Sequence, residues 1–258
     1  MIKKAIISSI KNLKLTLFWP AALNYLSQAM FGLLFLWTTG IGKELLNTPL
    51  PFGHKLILQT VHETQILMHN NLVTFIVSLL IFITLHFVVG SSLDSLRYST
   101  MVDIINNKKQ GIFKGCINGY KHAKEKWSSV VCMKALTYIL FSISIALGRL
   151  PANTKLLSSL SIMVLLILTT AILLFSYASL FIEDNSVIGS LQSSIRLFKK
   201  NILLCLGIAG IIIIITLVRT SMLNNLLTTN LFVLILLIQT VSTVWKDMFI
   251  FTIFKLKL

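Results

Sequence analysis

The chain has 258 residues, of which 55% are hydrophobic and 12% are charged, with a formal net charge of +15. A mean hydropathy of +0.86 leaves too few polar groups to cover a soluble globule, so the composition predicts a membrane protein. The cations do not indicate nucleic-acid binding, because they alternate with apolar residues along one predicted membrane face and the sequence contains no polar domain.

Six apolar stretches, taken in chain order, are long enough to cross the hydrocarbon core of a bilayer, which needs roughly 20 residues of helix. They cover residues 17–41, 72–93, 129–147, 156–182, 202–218 and 231–251. The third carries Lys134 near its start, where a lysine can extend its ammonium group to the interface. The sequence therefore predicts an all-α polytopic fold with six transmembrane helices.

A short basic motif precedes the first, third and fifth of these stretches. In each copy, apolar residues recur at helical spacing beside two cations. The apolar positions are Ile6, Ile10, Leu13 and Leu17, then Cys116, Tyr120, Ala123 and Trp127, then Leu191, Ile195, Phe198 and Ile202. The cations are Lys11, Lys14, Lys121, Lys124, Arg196 and Lys199. This pattern is typical of a helix lying on a membrane surface, so the six cations are predicted to contact anionic lipid headgroups.

The motif also divides the chain into repeats. One amphipathic surface helix followed by a pair of spans gives repeats at residues 1–111, 112–186 and 187–258, within a single integral membrane domain. Parallel repeats of this kind can build a membrane bundle around an axis along the membrane normal. The polar residues at 183–186 predict an N-terminal cap for the third surface helix.

The distribution of Lys and Arg predicts the orientation of the bundle. Most of the 23 such residues lie at the termini and in the loops after the second and fourth spans, which share one side. The opposite side holds Lys43, Lys55, Arg149, Lys155 and Arg219. By the positive-inside tendency, the protein is predicted to lie in the inner (cytoplasmic) membrane with both termini in the cytoplasm.

Polar side chains within the spans form a second candidate site. Asn24 and Gln28 share one face of the first span, His86 lies near the middle of the second, and Gln239 is equally deep in the sixth. These four residues either line an intramembrane polar path or form hydrogen bonds between helices. For His86, a neutral histidine bonded to a neighbouring helix is the favoured interpretation.

The adjacent Lys246 and Asp247 lie too deep in the last apolar stretch for an ordinary tail. An unpaired charge at that depth is costly, so Asp247 is expected to pair with Lys246 itself, with Lys134 or with Arg97. A structural ion pair is favoured over a proton or ion relay.

Catalytic and metal-binding signatures are absent from the sequence. It contains no nucleophile–base set, phosphate-binding loop, pair of catalytic carboxylates or Cys–His metal pattern, so neither enzyme activity nor a cofactor is predicted. His54, His62 and His69 share one external segment, but on a helix their spacing separates the side chains by about 10 to 12 Å, too far for a shared zinc ion. No metal site and no disulfide is expected.

The segment before the fifth span resembles that of a known family. Residues 181–184 (Phe-Ile-Glu-Asp) and 191–197 (Leu-Gln-Ser-Ser-Ile-Arg-Leu) are similar in order and spacing to the pre-span segment of the YciC-type uncharacterised six-span inner-membrane proteins of bacteria. A more distant resemblance is to the membrane domain of some glycerophosphodiester phosphodiesterases. The resemblance implies a six-span architecture with an N-terminal surface helix, and it implies no activity or catalytic residue.

Together these features predict a non-enzymatic multi-pass membrane protein that organises anionic lipid or a protein partner through its basic cytoplasmic helices. The alternative is a small transporter or lipid-handling permease that uses the intramembrane polar path. Apolar spans serve either function equally well, so the two alternatives stay open at this point.

Overall fold

The computed structural model describes residues 2–38, 72–106, 112–149, 155–227 and 232–257, and the regular secondary structure within these ranges is entirely helical. The helices are α1 (Ile2–Lys11), α2 (Leu15–Thr38), α3 (Leu72–Ile105), α4 (Ile112–Arg149), α5 (Lys155–Leu173), α6 (Ser176–Ile182), α7 (Val187–Lys200), α8 (Ile202–Leu227) and α9 (Phe232–Lys257). The all-α prediction is confirmed for these ranges. The predicted external segment with His54, His62 and His69 lies outside the described residues.

Within the described ranges, four helices are long and apolar enough to cross a membrane. They are the segments Leu72–Ile105, Gly119–Gly148, Leu157–Ile182 and Val233–Leu256. A fifth span results if Val187–Lys200 and Ile202–Val218 count as one segment broken by a 109° bend. Helix α2, which carries Pro20, Asn24 and Gln28, is not among these segments. These helices are compatible with a multi-pass membrane protein.

Helices α3 and α4 extend well beyond the core of a bilayer. They contain 34 and 38 residues. At 1.5 Å per residue they are about 51 and 57 Å long, against a hydrocarbon core of about 30 Å. The second copy of the basic motif therefore continues directly into its span, through good helix formers at residues 123–126. The first and third copies are instead separated from the helices that follow them, at residues 12–14 and at the bend after Lys200.

The packed core lies at the end of the bundle that carries α1, α6 and α7. In α3, most side chains of residues 90–105 are buried, whereas most of those at 72–88 are exposed or half-exposed. Phe175, Phe251 and Phe254 are among the largest fully buried side chains of this core. At the other end, apolar side chains cover the outside of the bundle, as expected for helices that face lipid acyl chains.

The three copies of the basic motif share a buried small residue. Ser9, Gly119 and Ser194 occupy the same position in the three copies, and all three are buried. A small residue allows close approach to a different neighbour in each copy. Helix α1 packs on α9 and α4 packs on α3. The Ser194 hydroxyl donates to the Ile172 carbonyl at 2.6 Å and accepts from the Phe175 amide at 3.2 Å, which fastens α7 to the break between α5 and α6.

Candidate functional site

Five ionisable side chains from three helices meet inside the bundle. We call them the buried charge cluster: Asp94 and Arg97 of α3, Lys134 of α4, and Lys246 and Asp247 of α9. The side chains of Arg97 and Asp247 are only 5% and 8% exposed, whereas that of Lys246 is 35% exposed. The Lys246 Nζ lies 3.5 Å from Asp247 Oδ1, so the predicted pair belongs to a larger ionic group.

Asp94 is the centre of this cluster. Its Oδ1 lies 3.0 Å from the Arg97 guanidinium, one helical turn away, and accepts a hydrogen bond from Asn24 Nδ2 at 3.0 Å. Its Oδ2 accepts from the Lys134 ammonium at 2.9 Å. Gln28 Nε2 in turn donates to Asn24 Oδ1 at 3.0 Å. One carboxylate therefore joins α2, α3 and α4.

Arg97 connects this group to α9. Its Nη2 lies 2.8 Å from Asp247 Oδ2. This oxygen has no aligned hydrogen-bond donor, so the contact is a close ion pair without the geometry of a hydrogen bond. The same guanidinium donates to the Tyr98 hydroxyl at 3.2 Å. Next to the cluster, the hydroxyls of Tyr25 and Thr243 lie 2.6 Å apart and link α2 to α9.

Gly90 makes the approach of Lys134 to Asp94 sterically feasible. A Cβ at position 90 would lie 2.9 Å from Lys134 Nζ and 3.3 Å from Asn24 Oδ1. Real Cβ atoms essentially never approach another atom to 2.9 Å, so a larger residue would require the end of the Lys134 side chain to shift, and the contact with Asn24 would be tight. Glycine leaves room for this contact, in the middle of a helix where it is otherwise unfavourable.

The geometry defines what the cluster can do. Isolated charges inside a membrane bundle are costly, and mutual pairing offsets part of that cost while it joins the helices to one another. The cluster contains one more cation than carboxylates, and two of its atoms, Arg97 Nε and Asp247 Oδ2, are buried without a hydrogen-bond partner. The cluster therefore holds α3, α4 and α9 together by ion pairs and also contains polar atoms that have no hydrogen-bond partner.

The structure joins two of the four residues predicted to line a polar path. Asn24 and Gln28 bond to each other and to the cluster. His86 lies apart, with its Nε2 3.3 Å from the hydroxyl of Tyr138 on the neighbouring helix α4. Gln239 is half-buried on α9, two helical turns before Lys246.

Sequence reasoning missed Asp94, which pairs with both Arg97 and Lys134, because it follows directly after the predicted second span. A signal was nevertheless present. Asp94 and Arg97 are three residues apart, which places them on one face of a helix, and they follow the small residues 90–92 that permit close helix packing.

The basic motif forms a second feature, at the packed end of the bundle. All six of its cations, Lys11, Lys14, Lys121, Lys124, Arg196 and Lys199, are exposed. Apolar motif residues are exposed beside them, including Ile10 at 55% and Ile195 at 38%. Other motif positions, such as Leu17 and Ala123, are buried in the core. The apolar residues of the motif are thus divided between the buried core of the bundle and its exposed surface.

The linker between α6 and α7 anchors the third motif. Glu183 Oε2 accepts hydrogen bonds from Ser179 at 2.5 Å, Asn185 at 2.7 Å and Ser193 at 2.9 Å. The Ser186 hydroxyl accepts from the Gly189 amide at 3.2 Å, which is the predicted N-cap. Glu183 and the cap together hold the start of α7 in place.

Asp184 connects the same linker to α4. Its carboxylate lies 2.5 Å from Lys126 Nζ, and the hydrogen bond and charge of that lysine hold the pKa of Asp184 below its usual range. Asp184 has a φ of 57°, in the left-handed region that often ends a helix. The linker is therefore fixed to a second helix by an ion pair at the surface.

In the described parts of the chain, no group of three or more His, Cys, Asp or Glu side chains is placed to hold a metal ion, and Cys132 and Cys205 form no disulfide. Comparisons with known proteins add no assignment. No family model matches the sequence, and neither curated proteins nor solved structures give a match.

Proposed function

We propose that this chain is a non-enzymatic multi-pass protein of the inner membrane that organises anionic lipid, or a protein partner, through basic helices on the cytoplasmic face. The observation that carries the proposal is the exposure of all six motif cations beside exposed apolar side chains such as Ile10 and Ile195. Apolar side chains favour the acyl boundary, and each cation near an acidic leaflet contributes about 1 kcal/mol of attraction.

The proposal includes a topology of six spans with both termini in the cytoplasm, in which α2 and α8 complete the set. Three repeats would then place every basic motif at the same membrane face. The shared burial of Ser9, Gly119 and Ser194 supports this arrangement. The resemblance to YciC-type proteins agrees with it and adds no activity.

Native mass spectrometry of the protein extracted in its own lipids tests the proposal. The variant replaces Lys11, Lys14, Lys121, Lys124, Arg196 and Lys199 by Gln. We expect wild type to retain anionic lipid and the variant to lose it. Equal retention of lipid by the two proteins would argue that the basic motif does not select lipid. A protein that co-purifies with wild type but not with the variant would indicate that the basic helices bind a protein partner.

The second candidate function is a small transporter or lipid-handling permease. It is favoured by the buried charge cluster, where Asn24 and Gln28 meet Asp94, and by the uncommitted Arg97 Nε. A membrane site with charged groups and spare donors is a frequent feature of proteins that move ions or polar solutes.

A flux assay in proteoliposomes separates the two functions. If the protein is a transporter, uptake into the proteoliposomes, driven by a pH gradient or by an anionic lipid gradient, should fall in Asp94→Asn. The same uptake should be retained in the six-cation variant. The lipid-organising function predicts the reverse pattern for lipid retention: Asp94→Asn should keep anionic lipid and the six-cation variant should lose it. Absence of flux in wild type under both gradients would dismiss the transporter.

A further inference from the structure

A groove of about 510 Å³ lies between α1 and α9, beside the end of α3. It sits at the end of the Val233–Leu256 span, about 12 Å along α9 beyond Asp247 at 1.5 Å per residue. The groove therefore opens where that apolar span ends, outside the buried charge cluster.

Three lysines line this groove. Lys4 and Lys11 reach it from α1, and Lys255 reaches it from α9, more than two hundred residues later in the chain. Among the described residues that line the groove there is no carboxylate to neutralise them. Cations from two helices that line one groove, with no carboxylate among its described lining residues, indicate a site for an anion.

The polar groups of the groove are partly positioned in advance. Lys255 Nζ donates to the Ile105 carbonyl at 2.8 Å and to Asn106 Oδ1 at 2.9 Å, which leaves its third N–H for a ligand. Asn12 Nδ2 donates to Ser8 Oγ at 3.3 Å, so the Ser8 hydroxyl keeps its own proton as a donor. Cations with hydroxyl donors suit a phosphate group.

The edges of the groove are apolar. Ile7 and Leu256 line it and are 46% and 48% exposed. A free phosphate ion gains nothing from such side chains, whereas the acyl chain of a lipid would cover them. Charge and apolar surface thus point to one amphipathic occupant.

We propose that this groove binds the phosphate headgroup of one anionic phospholipid, with an acyl chain against Ile7 and Leu256. The inference rests on the proposed function, since it uses α1 as a surface helix. It adds a defined site made by Lys4, Ser8 and Lys255 together with Lys11. Of these residues, only Lys11 is also one of the six motif cations.

The test measures binding to purified, delipidated protein by native mass spectrometry. The probes are dilauroyl phosphatidic acid, dilauroyl phosphatidylcholine and inorganic phosphate. We expect one phosphatidic acid per chain and an affinity about 30-fold lower in Lys4→Gln/Lys255→Gln, from the loss of two cations near the headgroup. The charge-matched control Lys3→Gln/Lys200→Gln removes exposed lysines outside the groove and should bind within about threefold of wild type.

A second variant avoids Lys255, which also binds the end of α3. Lys4→Gln/Ser8→Leu removes one cation and blocks the groove on α1 alone, and it should likewise lose the lipid. Unchanged binding in both groove variants, or equal losses in the control, would overturn the proposed site. Binding of inorganic phosphate as tight as that of the lipid would overturn the lipid assignment.

The variant that replaces Lys121, Lys124, Arg196 and Lys199 by Gln separates this inference from the proposed function. Those four cations lie outside the groove. Retained single-lipid binding with loss of bulk anionic lipid would support both claims. If this variant loses single-lipid binding while the groove variants keep it, the groove is not the lipid site and the basic motif remains as the lipid contact.

Discussion

The guanidinium of Arg97 on α3 lies 2.8 Å from the carboxylate of Asp247 on α9, and both side chains are buried. Arg97 also lies 3.0 Å from Asp94 on its own helix. The pair thus ties the last helix of the bundle to the group formed by α2, α3 and α4. Each charge is the nearest counter-charge of the other, so the two residues should not be replaceable independently.

Replacement of Arg97 by Met should strongly destabilise the protein, because Asp247 and Asp94 would lose a buried counter-charge. Breaking a buried ion pair from one side typically costs about 3 to 5 kcal/mol. Thermal unfolding in detergent should show a large fall in Tm. The double variant Arg97→Met/Asp247→Leu removes both charges and leaves Asp94 paired with Lys134. It should recover much of the loss, and a Tm as low as that of the single variant would show that the pair is not the stabilising contact.

Replacement of Gly90 by Ala should lower Tm, since the added methyl group would displace the Lys134 ammonium from Asp94. Gly207→Ala is the matched control, because a Cβ there would meet no atom within 4 Å. In a helix, Ala is favoured over Gly by about 1 kcal/mol, so the control should be neutral or stabilising. Equal effects of the two substitutions would contradict the role assigned to Gly90.

The contact between Lys126 and Asp184 should depend on pH. Because the lysine lowers the pKa of Asp184 below its ordinary value of 3.8, the contact stabilises the folded state above that value and is lost as pH falls through the lowered pKa. Wild type should therefore exceed Lys126→Gln in Tm at pH 7, with a difference that shrinks below about pH 4. Lys124→Gln, on the same helix, should show no such pH dependence, and a constant difference for Lys126→Gln would refute the ion pair.

Replacement of Glu183 by Ala should loosen the start of α7, because three donors would lose their shared acceptor. Hydrogen–deuterium exchange should speed up at residues 185–195 while α9 stays protected. Gln192→Ala, an exposed change on the same helix, is the control and should leave exchange unaltered. Faster exchange across the whole protein would indicate general destabilisation instead of this local anchor.

Several features of the fold followed from local sequence patterns. Apolar length predicted the long helices, and the polar run at 183–186 predicted an N-cap for α7, which Ser186 of that run provides. Lys246 and Asp247 are adjacent in the sequence and were expected to pair, and their charged groups lie 3.5 Å apart. These predictions depend on residues close in the chain, where geometry is determined by the helix itself.

Features that depend on contacts between distant residues were not predictable in the same way. Asp94 was assigned to a span boundary, and only the packing of α3 on α2 and α4 makes it the partner of Asn24 and Lys134. The continuity of α4 through the second basic motif was also missed, since an amphipathic pattern does not determine whether a helix bends before the next span. The basic groove joins residues from the two ends of the chain.

The most direct measurement of the central claim uses a bimane fluorophore on a cysteine placed at position 10 or 195, in a variant without the native cysteines, reconstituted in nanodiscs. In nanodiscs with anionic lipid, the emission should shift to the blue as the label enters the acyl boundary, and the shift should diminish when the six motif cations are replaced by Gln. Emission typical of full water exposure at both positions, in anionic and zwitterionic nanodiscs alike, would contradict a lipid-organising role for the basic helices.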